Sequence, residues 1–220
     1  MDTIQNILTR QSIRAFKKDP VPRELLLDII RVAGHSPSYK NTQPWEVVVI
    51  SGDKKRELSR VLLKLLEDGV ETTAEFPEPT SWPARQSQRI QQLYDKRAAA
   101  TGLDLKNPDI IRKSRQANFN FYHAPHAVYF FQDASLGPWS LFDIGLFVQS
   151  FMLAAHAKGV ATVPQAFATD YAAQVKDFLG LPEGKRLIVG MSLGYADMDA
   201  PVNQLRTDRA DVEEIVTWLE

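Results

Sequence analysis

Apolar positions along this chain recur in two rhythms, and the rhythms predict its elements. Ile4, Ile7 and Leu8 fall at helical spacing and predict a short amphipathic helix leading into Arg10. Pro22 suits a first helical turn, and Leu25, Leu26, Ile29, Ile30 and Ala33 form one stripe behind it, with Gly34 expected as the residue that ends the helix at C′. Asp53 opens another helix, whose Leu58, Val61, Leu62, Leu65 and Leu66 read as plain core packing. From about Trp139 to Lys158 the pattern is apolar nearly all round, which predicts a helix at the centre of the fold or at a subunit interface, closed by Gly159. A last helix is expected from a Thr169-Asp170 cap to about Leu179. Continuous apolar runs predict strands at 47–50, 127–131 and 186–195, and a further one at 160–166 that breaks at Pro164.

Between these core segments lies a polar excursion from about 72 to 122. Pro77, Pro79 and Pro83 exclude regular structure over 72–83. Residues 84–101 predict a moderately amphipathic helix, and Asn107-Pro108-Asp109 caps another that runs towards Phe121. The excursion reads as a helical lid inserted in a single 1–220 domain, since loops of this length often cover binding sites. Helices dominate and the middle is irregular, which favours a mixed α+β sandwich over a doubly wound sheet.

Composition narrows the chemistry. With 26 basic and 27 acidic residues among 220, the net charge is −1, so no bulk field draws nucleic acid or an anionic membrane. No cysteine is present, which excludes disulfides, thiolate catalysis and cysteine-ligated metals. The four histidines form no H-E-x-x-H motif, and His123 and His126 share a turn where exposed or capping roles are expected. No run approaches 18 apolar residues and no targeting segment opens the chain, so a cytoplasmic protein is expected. Glycine-rich phosphate loops, a G-x-S-x-G elbow and a carboxylate dyad are all missing.

What remains is a set of groups suited to holding an anion. In extended chain, Arg10, Ser12 and Arg14 of Arg10-Gln11-Ser12-Ile13-Arg14 point to one face, and guanidinium forks match a phosphate. An isolated pentad of this kind is as readily a solvated surface strand. Downstream, His35 to Trp45 is a polar loop stiffened by Pro37 and Pro44, a plausible ligand shelf or an ordinary connection. Pro164 and the late Arg206 and Arg209 complete the inventory. These parts suit binding a phosphorylated cofactor that carries the electron chemistry itself.

The pentad, the loop Ser36-Pro37-Ser38-Tyr39-Lys40-Asn41-Thr42-Gln43-Pro44-Trp45, the Asn118–Phe131 segment with Ala124-Pro125-His126, and the stretches 159–166, 190–195 and 206–209 together resemble the flavin-dependent nitroreductase family. The resemblance implies a three-layer sandwich with a mostly antiparallel central sheet, in an intertwined, obligate homodimer with flavin sites at the interface. It assigns FMN to Arg10, Gln11, Ser12, Arg14, Arg206 and Arg209, with Ser36, Pro37, Ser38 and Asn41 reaching it from the second subunit and Pro164, Gln165 and Ala166 along the ring. It leaves unassigned the Lys or Asn that members often place over the flavin pyrimidine. Tyr39, Trp82 and Tyr94, with Phe76, are the expected contacts of a flat aromatic substrate. The implied activity is ping-pong reduction of nitroaromatics or quinones by NADH or NADPH, a nitro group passing through nitroso to hydroxylamine. A reductive dehalogenase or flavin-cleaving enzyme on the same fold, or a non-catalytic flavin-binding protein, are the alternatives; Glu78, Tyr94 and Lys96 lack the spacing of a dehalogenase clamp.

Overall fold

The computed structural model describes residues 2–220. A four-stranded, fully antiparallel sheet runs through the centre in the order β1-β2-β4-β3, formed by β1 (Glu46–Ser51), β2 (His126–Asp133), β3 (Ala161–Gln165) and β4 (Lys185–Gly194). One face carries α2 (Arg23–Ala33) and α6 (Pro138–Ala157); the other carries α3 (Gly52–Glu67), α5 (Pro108–Phe119) and α7 (Ala172–Phe178). The short α1 (Thr3–Thr9) packs on α6, and α4 (Ala84–Thr101) packs on the turn Pro201–Asn203. The sandwich is the expected one.

Strand alternation sorts the core. On β2, Val128 and Phe130 face α2 and α6, while Ala127, Tyr129 and Phe131 face α3, α5 and α7. On β4 the faces switch part-way: Met191 and Leu193 join the first cluster but Leu187 joins the second. A register shift explains this. Phe130 pairs with Val189 and Phe131 with Leu187, leaving Ile188 as the extra residue of a bulge that turns the strand over.

Several local expectations need correction. Gly34 ends α2 in right-handed geometry (φ −60°), not as a left-handed C′ glycine. Its amide bonds to Ile30, and an added Cβ would meet Arg31 O at 3.2 Å. α5 stops at Phe119, because Phe121, Tyr122 and His123 all take positive φ. β3 does not break at Pro164. It is an edge strand, where a missing N–H costs no ladder bond, and it runs on to Gln165. α7 starts after Tyr171, and neither Thr169 nor Asp170 caps it through a side chain. His126 is buried in β2: its Nε2 accepts the Val21 N–H at 2.9 Å, and burial lowers its pKa. By length and composition α6 could cross a bilayer, contrary to expectation, yet nine of its twenty residues are buried in this core.

Candidate active site

The pentad leaves α1 as extended chain and runs beside the sheet edge. Ser12 forms a parallel bridge with Thr162 of β3, the Ile13 N–H donates to Thr162 O at 3.1 Å, and the Ile13 side chain is buried. The C-terminal segment closes over it. Asn203 Oδ1 accepts the Arg14 N–H at 2.8 Å, Gln11 Nε2 donates to Asn203 O at 3.1 Å, and Arg206 Nη1 donates to Thr9 O at 2.8 Å.

This closure gathers positive charge. Arg10 is half-buried, with its pKa held below the ordinary arginine value first by burial and then by the neighbouring Arg209. His156, at the C-terminal end of α6, meets Thr9 Oγ1 at 3.0 Å; burial, then Arg10 and Arg206, lower its pKa. Arg10 Nη1 is buried without a hydrogen-bond partner. A cavity of about 300 Å³ opens here between Arg10, Gln11, His156, Thr162, Met198 and Arg206. Arg10 and Arg206 line this cavity with no carboxylate among its lining residues, and Arg10 bears an unmatched buried donor, which suits a compact anion such as a phosphate; Arg209 lines a neighbouring cavity with Asp208 and Glu214.

Arg14 points elsewhere. Its neighbour is Arg97 of α4, whose pKa is lowered first by burial and then by Arg14, with Tyr122 and Tyr94 also close. The pentad therefore sends its two guanidiniums to different surroundings, where a single converging set was expected.

Other expected residues lie in separate groups. At the end of β3 the Gln165 side chain is 2% exposed and occupied within the protein, its Nε2 donating to Asn118 O at 3.0 Å and Oδ1 at 3.1 Å while Ser192 Oγ donates to its oxygen. Gln165 thus fixes the strand end, and only its backbone, with Pro164 and Ala166 (both exposed), is free to meet a ligand. The 36–41 loop docks farther up α6. Ser36 Oγ bonds to Ala33 O and Ser150 Oγ, both at 2.8 Å, and Ser38 Oγ accepts the Gln43 N–H at 3.0 Å. The Tyr39 N–H donates to the Asp143 carboxylate at 3.1 Å. Lys40, Asn41 and Gln43 have positive φ, a conformation Asn tolerates better than most residues. Asp143, which holds Tyr39, is thirteen residues from His156 on α6, about 20 Å of helix rise, whereas Ser36 docks at Ser150, six residues or about 9 Å from it.

The expected aromatic contacts are also dispersed. Tyr39 stacks on Trp139 with ring centroids 6.0 Å apart, both rings exposed. Phe76 lines an apolar groove with Leu141, Ile144, Val148, Ile188 and Val189, away from the pentad. Trp82 precedes α4 and is exposed, whereas Tyr94 lies on α4 beside Arg97. Sequence reasoning missed Asn203, Asn118, His156 and Arg97. In the sequence Asn118 stands only as the start of a family-like segment, His156 as one of four histidines and Arg97 as one of several charges on 84–101.

No cluster of His, Asp or Glu able to hold a metal occurs among the described residues. The sandwich is shared by solved nitroreductases. The FMN- and NADPH-dependent nitroreductase NfnB from Sphigopyxis sp. strain HMH superposes with a TM-score of 0.95 at 27% identity over 100% of both chains. The FMN-dependent nitroreductase NfnB from Mycobacterium smegmatis, solved in complex with NADPH, gives 0.93 at 32% identity over 99% of this chain and 97% of its own. The 4-nitrobenzoate reductase of Pseudomonas putida is 34% identical over 216 residues, covering 92% of this chain and 89% of that one. The model of the Nitroreductase family matches residues 7–195, and the chain belongs to that family.

Proposed function

We propose that this protein is an FMN-dependent NAD(P)H oxidoreductase that reduces nitroaromatics, in a homodimer of the cytoplasm. The observation that carries the reading is Arg10 Nη1, a buried donor without a partner in a cavity that Arg206 also lines, in a chain of this family. Arg10, Arg206 and Arg209 would hold the FMN phosphate, with Gln11 and Ser12 fixing the strand that presents them. Arg14 offers positive charge towards the ring end, and Pro164, Gln165 and Ala166 line the cofactor with backbone. Bound there, FMN supplies two-electron transfer from a reduced nicotinamide to a nitro group.

A second copy of the chain would complete the site. The 36–41 loop docks on α6 between Ser150 and Asp143, about 9 to 20 Å of helix rise from His156 at the anion site, and Ser36, Pro37, Ser38 and Asn41 would serve the site of the other protomer. The exposed Trp139 and Phe142 of α6, and the Phe76 groove, offer the apolar surface such an interface needs. Residues 72–122 would then form the lid, and Tyr39, Trp82 and Tyr94 the aromatic walls against which a flat substrate stacks.

The test is a visible absorption spectrum of the purified protein followed by anaerobic titration with NADPH and NADH. Yellow protein that bleaches and recolours on adding a nitroaromatic is the expected result. Colourless protein that takes up no FMN overturns the reading.

A further inference from the structure

His156, in the last turn of α6, lines the same cavity of about 300 Å³ as Arg10 and Arg206 and has no part in the reading above. Its ring is oriented by α1. Nε2 lies 3.0 Å from Thr9 Oγ1, and the Thr9 hydroxyl donates its single proton to Gln5 O at 2.6 Å. The Thr9 oxygen therefore accepts from the ring, so Nε2 is the nitrogen that carries hydrogen. Nδ1 makes no hydrogen bond among the described residues. The charges around the ring are one-sided. Arg10 comes from the pentad and Arg206 from the C-terminal segment, and no acidic residue lines the cavity. Asp28 of α2, which reaches this end of α6, is engaged by Lys158 at 2.5 Å and by Arg31 at 3.0 Å. Burial and the two guanidiniums hold the ring below the ordinary histidine range, which leaves it neutral near pH 7 in the ligand-free chain. A phosphate dianion in the cavity reverses this. Its two charges offset the two guanidiniums, and what remains is a phosphate acceptor and the negative end of α6, both of which favour an imidazolium.

We propose that His156 is a further ligand of the FMN phosphate, and that it takes a proton from solvent as the cofactor enters so that Nδ1–H donates to the anion. The proposal rests on the FMN reading above and adds a coupling between cofactor loading and pH. The ring is neutral in the free chain and cationic in the holoprotein. FMN affinity is therefore greatest below the pKa of the free chain and falls as pH rises through that of the holoprotein. An opposite charge close by raises a histidine pKa by about 1–3 units, so the fall is about tenfold or more. The second ionisation of the phosphate, near pH 6, acts in the opposite direction and is largely complete above about pH 6.5.

FMN and riboflavin are titrated into the full-length, FMN-free chain at pH 6.5, 7.5 and 8.5, with binding read from flavin fluorescence, for wild type and His156→Gln. The glutamine amide keeps a donor for Thr9 and removes the titrating ring. Calorimetry at pH 7.5 in two buffers of different ionisation enthalpy counts the protons taken up, and NMR follows the His156 ring through its titration with and without ligand. In the wild type, FMN should bind about tenfold more tightly at pH 6.5 than at pH 8.5, with proton uptake, and the His156 signal should titrate at higher pH in the holoprotein. In His156→Gln the affinity should change by less than about twofold over the same range, without uptake. Riboflavin, which lacks the phosphate, should leave the His156 titration where it stands in the free chain. Absence of proton uptake in the wild type overturns the proposal, as does uptake undiminished in His156→Gln or a riboflavin shift equal to that of FMN. If His156→Gln does not fold, the wild-type NMR titration decides alone, and a ring whose titration FMN fails to raise overturns the proposal. Wild-type protein that binds no FMN at any of these pH values denies the cofactor reading itself, whereas FMN that is bound and reduced by NADPH without proton uptake on binding denies only the role of His156.

Discussion

Asn203 Oδ1 accepts the backbone N–H of Arg14 at 2.8 Å across 189 residues of sequence. Its Nδ2 donates to Ala15 O at 2.9 Å and Asp197 O at 2.7 Å, and the residue is 1% exposed. Replacing it with alanine leaves the Arg14 N–H and Asp197 O unmatched, while Ala15 O keeps the Asp197 N–H at 3.1 Å, and each such loss costs about 1–3 kcal/mol. Asn203→Ala should therefore lower the urea midpoint by several kcal/mol equivalent and weaken FMN retention together. Equilibrium unfolding and ultrafiltration of added FMN check both.

Arg10→Ala should release FMN without a comparable loss of stability. Arg10 is a half-buried cation repelled by Arg209, and its Nη1 is unmatched in the protein alone, so removing it relieves strain in the ligand-free chain. A charge-assisted bond to phosphate is worth about 1.5–3 kcal/mol, which predicts roughly 10- to 150-fold weaker FMN binding. A fluorescence titration of FMN, set beside thermal unfolding of the FMN-free protein, measures the two effects.

Asp170 carries a pH signature. Burial, with Glu78 adding to it and Arg115 opposing, lifts its pKa from 3.8 to about 6, and its Oδ2 is buried without a partner. The folded chain thus holds this proton more tightly than the unfolded chain does. Below about pH 4 both states are protonated and the group is neutral to stability; as pH rises to 6 the folded state loses ground, and above 6 the loss is complete. A shift of about two units corresponds to about 3 kcal/mol at full value, and about 1–2 after solvent screening of a half-buried site. Asp170→Asn should raise stability by that amount at pH 8, with the gain vanishing towards pH 4 in denaturation curves across the range.

Gly194, at the end of β4, has no room for a methyl group. A Cβ there would sit 2.5 Å from Pro125 Cδ and 3.2 Å from Phe16 Cδ1, both parts of stiff rings. Gly194→Ala should cost about 1–3 kcal/mol through overpacking, seen as a lower melting temperature.

Glu75 pins the irregular segment ahead of α4 to the sandwich. One carboxylate oxygen pairs with Lys176 Nζ at 2.7 Å and the other accepts the Leu187 N–H. Glu75→Gln should free the proline-rich 72–83 stretch, and limited proteolysis should then cut there faster than in the wild type while the sheet stays protected.

How much of this was legible beforehand depended on whether a residue's role is local. Leu58 and Leu62 of α3, the strand 127–131 and the long α6 announce themselves through periodicity, because burial repeats at the spacing of the element. The arginines were legible by type, since a guanidinium in R-x-S-x-R already suggests an anion. Their partition was not: Arg10 and Arg14 part company because of Asn203 and α4, and contacts made across most of the chain leave no mark on local pattern. His126 read as a turn residue because Pro125 stands before it, and only the fold shows that its ring caps the Val21 amide in the interior. Gly34 and Pro164 misled for a related reason. Each has an ordinary local meaning, and the packing beside Arg31 in one case and the sheet edge in the other supplies a different one.

The tie between the pentad and the closing segment also has a meaning in time. A ribosome delivers Arg10 about 190 residues ahead of Asn203, Arg206 and Arg209, some ten seconds or more at ordinary elongation rates. The sheet and both helical layers can condense before then, but the anion site cannot close until the chain has doubled back on its own beginning. A nascent chain stalled before residue 201 would therefore hold its sheet and helical layers but not a closed anion site.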